Sequence, residues 1–251
     1  MKVILDYIWL DGKTISDVRH LTKIVDINLP DYGGRQGFVN KFPRVIETKE
    51  DLDNIPTVSI DGSSIGLESK DGNDINLIPV KIYGNPLRND SYYILCEVYD
   101  GSIPHSSNNR ASLKNLVPSI LDKTSFVALI ENFTIIRNDG NTFKSDAYSS
   151  GEGDSDGIIN DLLDCILKMG IFIGSINTIG YNIWEMKTEL GSPVHLSDDI
   201  IILRHLLYRI SKEHDRIVSF SNKHFKTITS EKDEINDPYL SIKKILKSST
   251  E

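Results

Sequence analysis

Apolar side chains alternate with polar ones, or run unbroken for a few residues, through much of the first hundred positions, and that pattern predicts sheet. Lys2 to Trp9 is rich in β-branched and aromatic residues and stops at Asp11-Gly12, which predicts a hairpin with a partner strand over Val18 to Val25. From Asp26 to Pro56 the apolar periodicity fades around Asp31-Tyr32-Gly33-Gly34, so this stretch reads as an exposed excursion from the sheet. Strand signals return at Leu77 to Tyr83 and Tyr92 to Tyr99, on either side of a segment dense in turn formers. The pattern then changes. Ser112 to Leu121 has helical spacing, Phe126 to Arg137 reads as a largely buried strand, and Asp139 to Gly157 is an Asp-, Ser- and Gly-rich loop. Ile158 to Leu167 is apolar on one helical face, with Gly170 as its carboxy-terminal cap. Strands at Ile171 to Asn177 and Ile183 to Thr188 follow. A helix is expected from Ser197 to His214, capped by Ser197 with two acidic residues in its first turn, and a short amphipathic helix from Tyr239 to Leu246 in a charged tail.

Composition narrows the function classes. At 251 residues the chain can bury a substantial core, and 39% hydrophobic with 25% charged residues describes a folded protein. A formal net charge of −8 disfavours a general nucleic-acid surface, which needs clustered Lys and Arg. Cys96 and Cys165 stand in apolar surroundings without metal-type spacing, so both are expected as buried, reduced thiols. The first residues have neither the pattern of a signal peptide nor that of a transit sequence, and no apolar run reaches membrane-spanning length, so a cytoplasmic location is expected.

A set of short segments, in order, resembles one enzyme family. Tyr7-Ile8-Trp9-Leu10-Asp11-Gly12, Arg19 with Thr22-Lys23, Asp61-Gly62-Ser63-Ser64, Pro79-Val80, Asn85-Pro86-Leu87-Arg88 and Cys96-Glu97-Val98-Tyr99 resemble the amino-terminal β-grasp domain of glutamine synthetase. Pro104 to Ala111 is similar to the segment that leads into that family's catalytic domain. Ile176-Asn177, Trp184-Glu185, Asp198 to Arg204 and Tyr208-Arg209 look like landmarks of the catalytic domain's first half. The likeness is dense before Ala111 and sparse after it. It implies an α+β chain, with a β-grasp domain over 1–111 that carries an insertion around 26–56. A reduced catalytic-type domain over 112–251, an antiparallel sheet with helices, would follow.

The family, as the resemblance implies, phosphorylates glutamate with ATP and lets ammonia attack the acyl phosphate. Two divalent cations shield the phosphates and carboxylates, which requires several carboxylates converging from the strands. Aligned on Phe133-Thr134-Ile135, the family's Glu-x-Glu pair falls on Ile130 and Asn132; a register shifted by one keeps Glu131 but spoils that match. A further ligand glutamate falls on Asn160, and the arginine of the preceding motif on Asp156. The Asn-x-Glu-Val segment becomes Asn177-Thr178-Ile179-Gly180, and the position usually held by His becomes Asp199. After Ser219 to Lys223 no Gly-Asn-Trp-Asn-Gly-type segment follows, although the substitutions weigh more than the length.

The expectation is therefore a catalytically inactive protein with no metal or other cofactor, serving as a structural or regulatory subunit that binds a protein partner. The partner, another protein or a larger assembly such as a homo-oligomer, is not identified by the sequence; the alternative is a subunit that joins a true glutamine synthetase in a mixed ring and modulates it through the Asp61 loop. In the family's rings the segment matching Asp61, Gly62, Ser63 and Ser64 reaches into the neighbouring subunit's site, so this loop is the partner-loop candidate. Alternatively it is a turn held for packing and local hydrogen bonds, the favoured reading. Residual ATP-dependent glutamate–ammonia ligase activity is a third possibility. Glu152 to Ile159 has the acidic alternation of a calcium loop, but Leu163 stands where the bidentate Glu belongs, so a solvated acidic loop is the better reading. The histidines are too scattered for a metal cluster, and no nucleophile motif has a linked base.

Overall fold

The computed structural model describes residues 2–13, 17–27, 45–46, 48–72, 74–120, 127–140, 147–148, 156–180, 183–220, 226–227 and 237–248. The chain divides into two compact units, Met1–Ala111 with Leu167–Gly170, and Ser112–Ile166 with Ile171–Glu251.

In the first unit the elements are β1 (Lys2–Leu10), β2 (Val18–Asp26), β3 (Val45–Ile46), α1 (Lys49–Asp53), β4 (Val58–Ile60), a 3₁₀ turn (Ser63–Ile65), β5 (Ile75–Gly84), β6 (Ser91–Asp100) and β7 (Ile103–Pro104). They build a sheet in the order β2-β1-β6-β5-β3, with β4 beside β5 and β7 beside β6. β1 and β6 run parallel while every other pair is antiparallel. The period-2 pattern puts Val3, Leu5, Tyr7 and Trp9 of β1 on one side, where they meet Ile75, Leu77, Ile82, Ile94 and Val98 in a continuous core. β6 is buried along its first eight residues, which explains its unbroken apolar run.

The stretch expected as an excursion from the sheet proves otherwise at its end. Residues 28–44 lie outside the described residues, but β3 pairs with β5, Ile55 is buried in the core, and Tyr7 Oη donates to the carbonyl of Pro56 at 2.9 Å. Too few apolar residues mark this return for periodicity to reveal it.

The second unit has β8 (Leu129–Arg137), α3 (Asp156–Met169) as far as Ile166, β9 (Ile173–Thr178), β10 (Ile183–Thr188), α4 (Pro193–Glu213), β11 (Arg216–Ser219), β12 (Lys226–Thr227) and α5 (Pro238–Ser248). α2 (Asn109–Ile120) spans the division of the chain after Ala111. The sheet order is β11-β8-β10-β9, all antiparallel, with β12 also on β8. Gly170 ends α3 at φ +69°, as a left-handed cap does.

α4 begins a turn earlier than its acidic residues suggested. Ser192 is its N-cap and Pro193 its first residue, since proline's fixed φ suits that position. Ser197 is thus interior and buried, its hydroxyl donating to the carbonyl of Pro193 at 2.9 Å. α2 likewise starts earlier than expected, with the Asn108 Oδ1 accepting from the amide of Ala111. Both cysteines are buried and neither is in a disulfide, and burial pushes the Cys96 thiol pKa up. No helix among the described residues is long and apolar enough to cross a membrane.

The Asp11-Gly12 turn illustrates how tightly the first unit is built. Asp11 is buried and accepts from Arg19 Nε at 3.0 Å and Nη2 at 2.8 Å, and from the amides of Lys13 and Asp17. A Cβ on Gly12 would lie 1.8 Å from the carbonyl oxygen of Gly66. Gly12→Ala should therefore lower unfolding stability by at least about 1–3 kcal/mol, the usual cost of overpacking. Gly84→Ala, where a Cβ meets nothing within 4 Å, should change it by no more than about 0.5 kcal/mol. Urea denaturation of the two variants beside the parent checks this, and equal midpoints would refute it.

Candidate functional site

β8 sends alternate side chains to opposite faces of its sheet. Glu131 points toward α4, where its carboxylate receives Arg204 Nε at 2.8 Å and Nη2 at 3.0 Å, and both side chains are almost wholly buried. The Arg204 guanidinium carbon lies 5.3 Å from the Phe220 ring centroid. That ring in turn packs against Phe133 and Tyr208. Burial pushes the Glu131 pKa up, opposed by the charge and hydrogen bonds of Arg204. This carboxylate is committed to holding β8 against α4. To serve as a cation ligand, as in the shifted register, it would have to abandon a buried guanidinium.

Ile130 and Asn132 occupy the other face. The register opposes Lys187 to Ile130, Glu185 to Asn132 and Ile183 to Thr134, and sets Asn177 beside Glu185. Directly opposed residues share a side. The face therefore carries the row Asn132, Glu185, Asn177, of which Asn132 is buried and the other two half-buried. The Asn132 Oδ1 has no hydrogen-bond partner.

The other family positions are dispersed over two helices. Asn160 is exposed on α3 and Asp199 is half-buried on α4, while the Asp156 side chain and residues 149–155 of the acidic loop lie outside the described residues. Next to Asp199, Asp198 is fully buried and accepts from Tyr239 Oη at 2.7 Å, which docks α5 onto α4. Among the described residues no three His, Cys, Asp or Glu side chains are grouped so as to hold a metal ion.

Two of these anchors were missed in the sequence although a signal was present. Arg204 interrupts the apolar helix face of Ile200, Ile201, Leu203, Leu206 and Leu207, and Glu131 interrupts an apolar strand. A charge in an otherwise buried run needs a partner, and each is the other's.

Asp61 lies in the first unit. It is exposed, and its Oδ1 accepts from the amide of Ser63 at 3.0 Å and from the Ser63 hydroxyl at 2.7 Å. These bonds, the hydroxyl's first, hold the carboxyl below its ordinary pKa. Gly62 is buried, with room for no Cβ against Leu67, and its carbonyl accepts from the amides of Ile65 and Leu67. Ser63 and Ser64 are exposed. The loop is a locally closed turn with an acidic tip.

The Pro104 to Ala111 segment is similarly anchored. Asn108 Nδ2 donates to the carbonyl of Val98, Arg110 pairs with Glu97 at 2.7 Å, and His105 bridges Ser107 and the carbonyl of Glu68.

Comparison with known proteins accounts for this combination. No family model matches the chain. It is 27% identical over 237 residues to a glutamine synthetase of Streptomyces viridochromogenes, which covers 88% of this chain and 63% of that protein. It is 25% identical over 239 residues to a glutamine synthetase of Tuber borchii, covering 88% of this chain and 60% of that one. Over most of its length the chain is thus similar to glutamine synthetases at 25–27% identity. It spans about three fifths of the length of these relatives. Among solved structures, the GmaS/ADP complex superposes with a TM-score of 0.59 at 15% identity, covering 87% of this chain and 49% of that one. GmaS without ligand also gives 0.59, at 13% identity. These likenesses establish the mixed α+β glutamine-synthetase-type fold.

The ion pair under the candidate face sets a direct test. Glu131→Leu or Arg204→Met alone should cost about 3–5 kcal/mol of unfolding free energy, because each strands a buried charged partner. The double variant Glu131→Leu/Arg204→Met should recover most of that loss. Urea denaturation of the three variants checks the non-additivity; simple addition of the two single losses would refute it.

Proposed function

We propose that this chain is a catalytically inactive member of the glutamine synthetase relatives, working as a structural or regulatory subunit that binds a protein partner. The observation that carries the reading is the content of the β8 face turned away from α4. Where the resemblance expects a pair of metal-binding glutamates, that face bears Ile130 and Asn132. The intervening carboxylate, Glu131, is spent on Arg204. Two cations bridging phosphates need several converging carboxylates. Here a leucine-sized hydrocarbon and a neutral amide replace them, and the corresponding α3 position is Asn160.

A second reading draws on the Asp61 loop. Its turn is closed by Ser63 and Leu67, so an acidic tip is presented with little conformational freedom left to lose on association. In this reading the chain enters a ring of a competent glutamine synthetase and modulates it through Asp61, Gly62, Ser63 and Ser64. Mixed assemblies on co-expression with such an enzyme would favour it. Unchanged enzyme activity with Asp61→Ala would remove it.

The purified chain is expected to show no magnesium-dependent ATP binding by isothermal titration and no glutamine formation from glutamate, ammonia and ATP. Ile130→Glu/Asn132→Glu should restore neither, since the Asn160 and Asp199 positions remain. Native mass spectrometry of the protein drawn from its own cells should show it within a larger assembly. Measurable glutamine synthesis by the parent chain would overturn the reading.

A further inference from the structure

The row Asn177, Glu185, Asn132 contains an anomaly that inactivity alone does not explain. Asn132 is only 5% exposed, yet its Oδ1 has no hydrogen-bond partner. Buried acceptors left unpaired are uncommon because the lost hydration goes uncompensated. Leucine at this position would keep the same branched shape, though with more bulk, and would avoid that loss. The residue bearing the orphan oxygen is paired across the sheet with half-buried Glu185, which the register sets directly opposite Asn132 on one side and Asn177 on the other. All three side chains project from the same face of the sheet.

The chemistry of the row limits what could complete it. It offers acceptor oxygens and one negative charge. Magnesium demands near-octahedral oxygen ligands, usually with carboxylates supplied by both site and substrate, and no metal-type cluster exists among the described residues. A phosphate would meet the Glu185 charge. A neutral ligand would leave that charge unbalanced. A primary ammonium is a compact point charge whose three donors cannot span the row. A guanidinium is planar and carries five N–H donors in a fixed fork, two of which match a carboxylate while the others stay available to flanking amide oxygens. Lys187 is the next residue on this face of β10, but it is exposed, so water and salt screen its charge.

We infer that Asn177, Glu185 and Asn132 form a guanidinium-binding site, with Glu185 as the bidentate ion-pair partner and the Asn132 Oδ1 accepting a further N–H. The inference rests on the reading that this face no longer holds paired metal cations. The guanidinium could be the arginine side chain of a protein partner or a small guanidino compound; the chemistry is the same for both.

The full-length chain is titrated calorimetrically with methylguanidine, with an acetylated and amidated Gly-Arg-Gly peptide, with butylammonium and with magnesium chloride. Saturable binding of methylguanidine or the peptide is expected, at least tenfold tighter than butylammonium, and weakened at least tenfold by Glu185→Gln. Tighter binding of the peptide assigns the site to a partner's arginine; tighter binding of methylguanidine assigns it to a small compound. Asn132→Leu should weaken binding while raising Tm, because the orphan acceptor is gone.

Absence of saturable binding by both guanidines, or affinity unchanged in Glu185→Gln, would overturn the inference. So would a lowered Tm with unchanged affinity in Asn132→Leu, which would mean that the amide serves the fold through an ordered water. Magnesium-dependent ATP binding in a parallel titration would instead sink the inactive-enzyme reading, so the two failures are distinguishable.

Discussion

A carboxylate and a guanidinium carried out of water on facing elements have to meet, and where they meet fixes everything registered to them. Glu131 and Arg204 are such a pair. In a strand, the side on which one residue lies determines the side of every other. Holding Glu131 on the α4 side therefore sends Ile130, Asn132 and Thr134 to the opposite face, and the ladders to β10 and β9 carry that parity on to Glu185 and Asn177. A slip of one residue would turn Asn132 toward α4 and carry Phe133 to the opposite face. The ion pair is thus less a source of stability than of uniqueness, since well-packed hydrocarbon in its place could be as stable but would tolerate the slip more readily.

The first unit depends on a different device, backbone approach. Gly12 and Gly66 come so close that neither loop could carry a Cβ at the contact, and Gly66 is in addition left-handed at φ +74°. Asp11 gathers the charge of Arg19 and two amides at the same spot. The β1–β2 turn and the loop bearing Asp61 are in this way one construction. The closure of the Asp61 turn by Ser63 is consistent with the plainer view of that loop as an element of the fold, and it also leaves an acidic tip that needs little ordering before it touches anything.

How far the sequence discloses this structure depends on the range of the interaction involved. β1, β2, β5, β6, β10, α3 and α5 were legible because period-2 or helical patterning is local, and because Asp11-Gly12 and Gly170 are local stop signals. The start of α4 was misread since Asp198 and Asp199 imitate a first turn, whereas Pro193 and buried Val194 and Leu196 show the helix already under way. The return of the chain at Ile55 was invisible, because its partners lie in β1 and β5. At the candidate face, the positions of Ile130 and Asn132 followed from resemblance. The union of Asn132 with Glu185 and Asn177 required the register of three strands, and the Glu131–Arg204 pair required knowing that β8 lies against α4.

Electrostatics explains why the substitutions on this face belong together. Carboxylates gathered to hold divalent cations repel one another when the cations are absent, and burial makes that repulsion worse. A site that stops holding metal is therefore under pressure to lose its carboxylates as well as its activity. On the proposed reading, Ile130 and Asn132 are what such relief would leave on this face, each without charge. Asn132 goes only part of the way, since it removes the charge but keeps a buried oxygen, whereas Ile130 removes both. On that reading, relief of repulsion is enough to account for the hydrocarbon at Ile130. It does not account for an acceptor retained at a cost beside Glu185, and that residue of unexplained polarity is the physical reason to look for a donor there.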